Sequence, residues 1–267
     1  MNQTLYIKQK LKEFEEFIGK TKSSTPLPPN YLRMLENESI THKNIFLYRE
    51  VIVSLMYAMT GTRPDLATVV SILSQYLEKP RDCHIALAIR VLRYLAYTND
   101  LSMVYNPGEI KLHGYADASY ATDFEYKSRS GYMFLLGNSL ISWWSGKQSS
   151  IAQSAAEAEY YAAVSAANEA IWLGKLLKDL GQEQDTITIS EDNQACNALT
   201  KNQEDHKRTK HIQVKYHVVR DYVKQKLIKF LYCPTKSQLA DLCTKGFSGP
   251  AIRSFLRRIN VIRQGDR

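Results

Sequence analysis

The stretch Leu112-His-Gly-Tyr-Ala-Asp-Ala-Ser119, read with Ser154-Ala-Ala-Glu-Ala-Glu-Tyr160 downstream, decides the architecture of this chain. In the first, Leu112, Gly114 and Ala116 take one side of a strand while His113, Tyr115 and Asp117 take the other. The alternation stops at Asp117, so a carboxylate stands at the end of a core strand. Two further strand-like runs, Ser130 to Leu136 and Leu140 to Trp144, are joined through Gly137-Asn138, a dipeptide suited to a two-residue hairpin turn. The second stretch opens a long helix that the pattern carries to Leu180. An acid at a strand end beside an acid at a helix start can hold a divalent cation.

Two glutamates compete for that role. Residues two apart on a helix point about 200° apart, so Glu157 and Glu159 cannot face one site together. Ser154 precedes Glu157 by the three residues of a capping box, which gives Glu157 a structural task at the positive end of the helix dipole. Glu159 has no cap to make and borders the stripe through Ala158, Ala162 and Ser165. It is the candidate for chemistry.

The chain has 267 residues, enough for two modest domains with real cores, and its 44% hydrophobic and 23% charged content is ordinary for a soluble globular protein. Lys and Arg number 35 against 27 Asp and Glu, a balance of +8 that suits a polyanionic partner. Cys83, Cys196, Cys233 and Cys243 form no CxxC pair, which argues against a zinc knuckle and gives no disulfide framework. His206 and His211 have ligand-like spacing, but the cysteines do not complete it, so no zinc site is expected. With no signal-like or membrane-length apolar run, the expected setting is intracellular, with no membrane partner.

Along the chain, Ile7, Leu11, Phe14 and Phe17 mark one amphipathic helix, followed by a Ser/Thr/Pro-rich loop from Ser23 to Pro29. Helices are expected over Tyr48 to Met59, over Arg63 to Leu77 with Pro64 at its first position, and over His84 to Tyr97 with Leu87, Val91, Leu92 and Leu95 inward. Periodicity changes near Thr98-Asn-Asp100, where a strand Leu101 to Tyr105 begins the second domain. That domain continues through the strands and helix already described. Beyond them come a strand Thr186 to Glu191, a short helix Gln194 to Thr200, a basic helix Lys207 to Lys224, a strand Leu227 to Tyr232 and a terminal segment from Ser237. The domains are therefore 1–99, largely helical; 100–247, α/β; and 248–267, a basic tail. Trp143, Trp144 and Trp172 are expected in the core.

Tyr115-Ala-Asp-Ala-Ser119, Ser130-Gly-Tyr132, Ile141-Ser-Trp143, Lys147-Gln148 and Glu157-Ala-Glu-Tyr160 resemble the ribonuclease H domain of copia-type LTR retrotransposon Pol polyproteins. Asp192-Asn-Gln194, Arg208-Thr-Lys-His-Ile212, Tyr216-His217, Arg220, Ala240-Asp241 and Thr244-Lys245 continue that resemblance in order, over roughly 101–247. Upstream, Ser24-Thr-Pro26, Tyr48-Arg49, Ser54-Leu-Met-Tyr57 and Thr62-Arg-Pro-Asp65 resemble the end of the reverse transcriptase, its thumb or connection, with Val53 standing where the family usually has glycine.

The resemblance implies a ribonuclease H-like mixed sheet flanked by helices, and hydrolysis of the RNA strand of RNA–DNA hybrids. It implies a catalytic and metal-binding tetrad of Asp117, Glu159, Asp192 and Asp241 around two Mg²⁺ ions about 3.5–4 Å apart, for which Mn²⁺ can substitute. Taken singly, Asp117 also fits a turn, Asp192 a helix cap and Asp241 a helix start. Ser119 and Asn193 are the small polar groups placed to meet a 2′-hydroxyl. Arg208, His211 and Lys215 share one face of the basic helix, and with Lys210 they are expected to meet phosphates, the alternative being a solvated face. The polymerase's paired-aspartate motif is absent, so no polymerase site is expected here. The implied partners are a hybrid substrate and the remaining reverse-transcriptase portion, in a cytoplasmic virus-like particle or the nucleus. The alternative is a domesticated remnant that binds nucleic acid without cutting it.

Overall fold

The structure, a computed structural model, describes residues 1–36, 45–106, 108–194 and 210–263, without the side chains of 210–216. Two compact units result: Met1–Tyr105 with Lys245–Arg267, and Asn106–Thr244.

The first unit is mainly helical. The expected N-terminal helix is two, α1 (Thr4–Glu13) and α2 (Glu15–Ile18), broken at Phe14 (φ −101°, ψ 16°), whose buried ring turns into the core. After α3 (Tyr31–Leu35) come α4 (Ile45–Gly61), α5 (Ala67–Leu73) and α6 (Asp82–Tyr97). The single helix expected over Arg63 to Leu77 is α5 between two 3-10 turns, Pro64–Leu66 and Ser74–Tyr76. α6 buries Leu87, Val91, Leu92 and Leu95 as its stripe predicts.

The Thr62-Arg-Pro-Asp65 motif becomes a buried ion pair. Arg63 is wholly enclosed; its Nε and Nη2 donate to the Asp65 carboxylate at 3.0 and 2.7 Å, and Nη1 donates to the Thr98 carbonyl at 3.1 Å. Tyr94 donates its hydroxyl to the same carboxylate at 2.7 Å. Such a pair is tolerable only when hydrogen bonds repay the desolvation of both charges, and here it ties the entry of α5 to the end of α6.

His84 gives this unit a pH dependence. It is 1% exposed, stacks on Tyr76 at 3.6 Å and accepts the Arg81 N–H at Nδ1 (2.9 Å). Burial, and then the nearby Arg81 charge, push its pKa down to about 4 from an ordinary 6.5. The folded state thus favours neutral imidazole. The resulting stability is present above pH 6.5 and is lost as pH falls toward about 4. Denaturant titrations at pH 7 and at acid pH should show a loss of about 2–3 kcal/mol that His84→Asn removes; equal losses in both proteins would clear His84 of the effect.

The C-terminal stretch differs from the expected tail. Ser248 precedes a helix α9 (Gly249–Arg258) that buries Ile252 and Leu256 and exposes Arg253 and Arg257, and Ile259 is buried after it. A strand (Val261–Arg263) then pairs antiparallel with Leu101–Met103, Leu101 opposite Arg263 and Met103 opposite Val261. Strand Leu101–Met103, β1, therefore belongs to the first unit, because its hydrogen-bonding partner lies there. Phe247 is anchored in the same unit by its N–H to the Leu27 carbonyl at 2.9 Å and by the Thr25 hydroxyl at 2.7 Å.

The second unit is the α/β fold the resemblance implies. Its strands are β2 (Leu112–Ser119), β3 (Arg129–Leu136), β4 (Ser139–Lys147), β5 (Ile187–Glu191) and β6 (Ile228–Tyr232), in sheet order β4-β3-β2-β5-β6; β7 is Val261–Arg263 of the other unit. β2, β3 and β4 are an antiparallel meander turning at Gly137 (φ +60°) and Asn138, while β5 and β6 join in parallel. The crossover from β4 to β5 carries the 25-residue α7 (Ala155–Asp179). Its buried face is mostly alanine, at 158, 162, 163, 166, 167 and 170, so the helix lies close on the sheet over Leu112, Ala116, Phe134 and Ile189. Gly114 fits this packing, since a Cβ there would come 2.4 Å from the Phe134 ring. A later helix, α8 (Lys210–Lys224), precedes β6.

Trp172 is 58% and Trp144 39% exposed, against the expectation of core positions. Trp172 falls on the outer face of α7, and Trp144 stacks on Tyr132 across β3 and β4. Among the described residues no helix is long and apolar enough to cross a membrane.

Candidate active site

Asp117 sits near the end of β2, opposite Gly131 of β3, and is 1% exposed. The chain continues to pair through Ser119, so the acid is held on both sides by backbone bonds rather than lying in a loop. Its Oδ2 accepts the hydroxyl of Thr244. Glu159 enters from the first turns of α7, and its Oε2 accepts the Ala118 N–H at 2.6 Å. The helix acid is thus tied to the residue that follows the strand acid. Asp192 follows β5, whose Ser190 lies beside Tyr115 in parallel register, so the ends of β2 and β5 are neighbours. One carboxylate oxygen from each of Asp117, Glu159 and Asp192 lies within 4.8 Å of the others.

Asp241 is placed next to this trio but outside that 4.8 Å group. It is buried in the 3-10 turn Ala240–Cys243, and with Asp192, Glu191 and Asp117 it acts electrostatically on the Cys233 thiol. Burial first, and then those four carboxylates, push that thiol up to about 11. The turn is docked by Gln238, wholly buried, which donates to the Ala116 carbonyl at 2.8 Å and accepts the Ala240 N–H at 3.2 Å. Gln148 does similar work on the other side, donating to Ser130 Oγ at 2.8 Å and to the Ala158 carbonyl at 2.9 Å, which ties β3 to the first turns of α7.

Glu157 turns away from the trio. The Ser154 Oγ accepts its N–H at 3.2 Å, and its Oε2 accepts the Gln153 N–H at 2.8 Å, one residue earlier than a simple capping box.

The residue that sequence reasoning passed over is Glu191. It is fully buried at the end of β5, and its Oε1 accepts the Asn193 N–H at 3.2 Å. Burial raises its pKa well above the ordinary carboxylate value, and the Glu159, Asp117 and Asp192 charges add to the shift against the Asn193 bond. The available signal was an acid immediately before Asp192, masked by the apolar strand it terminates.

Of the expected nucleic-acid contacts, Ser119 ends β2 half-exposed and Asn193 is half-buried beside Asp192. Lys210, His211 and Lys215 lie in the first part of α8, where only the backbone is described. Arg208, and the helix expected from Gln194 to Thr200 beyond Gln194 itself, lie outside the described residues.

Oxygen-only donors converging from two strand ends and a helix are the ligand chemistry of Mg²⁺ or Mn²⁺, and the cysteines nearby are buried thiols. The trio fits such an ion.

No protein-family model matches the chain. Among curated proteins it is 40% identical, over 219 residues, to the retrovirus-related Pol polyprotein of transposon RE2 from Arabidopsis thaliana, covering 81% of this chain and 15% of the relative. The corresponding polyprotein of transposon TNT 1-94 from Nicotiana tabacum is 40% identical over 199 residues, 74% of this chain and 15% of the relative. The chain belongs to the retrovirus-related Pol polyproteins of copia-type transposons. It spans only a small part of the length of these Pol relatives. Among solved structures, the N-terminal RNase H domain of a Mycobacterium tuberculosis protein is similar over 56% of this Pol chain and 98% of that domain, at 12% identity and a TM-score of 0.40.

Proposed function

We propose that this Pol segment is a divalent-metal-dependent ribonuclease H that hydrolyses the RNA strand of RNA–DNA hybrids, with Asp117, Glu159, Asp192 and Asp241 as its acidic site. The observation that carries the reading is the convergence of three carboxylates, one oxygen each within 4.8 Å, at the junction of β2, α7 and β5 in a transposon Pol chain. Phosphodiester hydrolysis needs a water made nucleophilic at neutral pH and a stabilised leaving 3′-oxygen, and divalent ions bound by such acids supply both. The protein's part is to hold the acids before substrate arrives. Ala118 fixes Glu159 through its N–H, Gln148 fixes the helix that bears Glu159, and Gln238 fixes the turn that bears Asp241. Ser119 and Asn193, at the rims of the two strand ends, are the groups in this reading that meet the 2′-hydroxyl. In this reading the basic residues Arg208, Lys210, His211 and Lys215 receive phosphates.

The test is a strand-labelled hybrid incubated with purified protein, with duplex DNA and single-stranded RNA as controls. Cleavage confined to the RNA strand of the hybrid, lost in EDTA and restored by Mg²⁺ or Mn²⁺, is the expected result. Hybrid binding without cleavage under any divalent metal would replace the enzyme by a binding module.

A further inference from the structure

We propose that Thr244 is a positioning residue of the acidic site, a side chain that locks the strand acid Asp117 to the turn that carries Asp241. Its hydroxyl donates to Asp117 Oδ2 and lies 3.3 Å from the Asp241 carbonyl, while its own N–H donates to that same carbonyl at 3.1 Å. Asp117 and Thr244 are 127 residues apart in the chain, and both are buried, so the contact exists only in the folded site. Its partner surface is Gly131, the residue opposite Asp117 in the β2–β3 register. A Cβ on Gly131 would come 2.5 Å from Cys243 Cβ and 2.9 Å from Thr244 Cγ2. The turn therefore rests directly on the strand backbone, and the absence of a side chain at 131 brings the Thr244 hydroxyl within reach of Asp117.

A carboxylate that ligates a cation gains affinity when a second group fixes its plane, because its rotational freedom is already spent. Thr244 does this for Asp117, and through the backbone of its turn it sets where Asp241 stands relative to it. The role rests on the reading of the trio as a metal site.

The probe is Mn²⁺ alone, titrated calorimetrically into the full chain. Thr244→Val, nearly isosteric but without the hydroxyl, should weaken Mn²⁺ binding about 10–100-fold, the range found when groups that orient metal ligands are removed. Thr244→Ser should restore it to near wild type. Gly131→Ala, which keeps the hydroxyl but lifts the turn, should reproduce the loss and keeps the question open to decision if Thr244→Val does not fold. Wild-type Mn²⁺ affinity in a folded Thr244→Val protein would overturn the positioning role and leave the nuclease reading intact. No Mn²⁺ binding by the wild type would overturn both.

Discussion

Asp117→Asn should abolish hybrid cleavage while leaving the protein folded and, without metal, at least as stable as the wild type. The side chain is 1% exposed and shares a 4.8 Å neighbourhood with Glu159 and Asp192. In the absence of a cation these like charges oppose one another, and the same repulsion, after burial, holds the Glu191 carboxyl above its usual range. A carboxyl raised in this way favours the protonated folded form; the stability it brings is present at acid pH and lost as pH rises through its folded pKa. Neutralising Asp117 removes one of the charges and lessens that loss, so the thermal midpoint in EDTA should hold or rise near neutral pH. Asn keeps an oxygen that can accept the Thr244 hydroxyl. Activity has no such substitute: a loss of about 10³-fold or more, about 4 kcal/mol of barrier, is expected on single-turnover cleavage. Turnover within a few-fold of wild type would remove Asp117 from the site, and a collapsed midpoint would make it a structural acid.

The second unit was legible in sequence because its signals are local. Period-two alternation through Leu112–Asp117, the Gly137-Asn138 turn and the Ser154 cap place three strands and α7 within a residue or two of their observed ends, except that β4 runs three residues past Trp144 to Lys147. The first unit was less so where partners are distant. Leu101–Met103 reads correctly as a strand, yet only pairing with Val261–Arg263 assigns it to the helical unit. The stretch 248–267 reads as a basic tail when its arginines are weighed, although Ile252, Leu256 and Ile259 recur at helical spacing and are buried. Arg253 and Arg257 are the exposed side of that same helix.

The acidic site shows the same division. Asp117, Glu159 and Asp192 carry motif signals, and so do Gln148 and Thr244, but the contacts that hold the acids in place are not written in the motifs. Gln238 reaches Ala116 across 122 residues and Thr244 reaches Asp117 across 127, and no periodicity announces such contacts. The resemblance places Asp241 in the tetrad, and the structure sets it beside the trio rather than within its 4.8 Å group. Trp172 misled for a physical reason: the C-terminal half of α7 turns Leu173 and Leu177 inward, and Trp172 and Leu176 fall on its other side, 58% and 41% exposed.

Glu159→Gln and Glu157→Gln should separate catalysis from capping on one helix. Glu159 is 8% exposed and its Oε2 accepts the Ala118 N–H at 2.6 Å, an interaction the glutamine carbonyl can keep. What the substitution removes is the charge facing Asp117 and Asp192, so little stability is lost while metal-dependent cleavage falls about 10³-fold, again some 4 kcal/mol of barrier. Glu157 is the reverse case. It accepts the Gln153 N–H at 2.8 Å, its own N–H goes to Ser154 at 3.2 Å, and it sits in the first turn, where the helix dipole favours a negative charge. Glutamine retains the back-bond but loses the charge, a cost of about 1 kcal/mol or less with turnover largely intact. The decisive measurement is the pair of mutants compared in both assays, cleavage rate at saturating Mg²⁺ and thermal midpoint in EDTA. If Glu157→Gln were the inactive one and Glu159→Gln the merely destabilised one, the tie from Ala118 to Glu159 would be structural, and the metal site would have to be rebuilt around the outer face of α7's first turn.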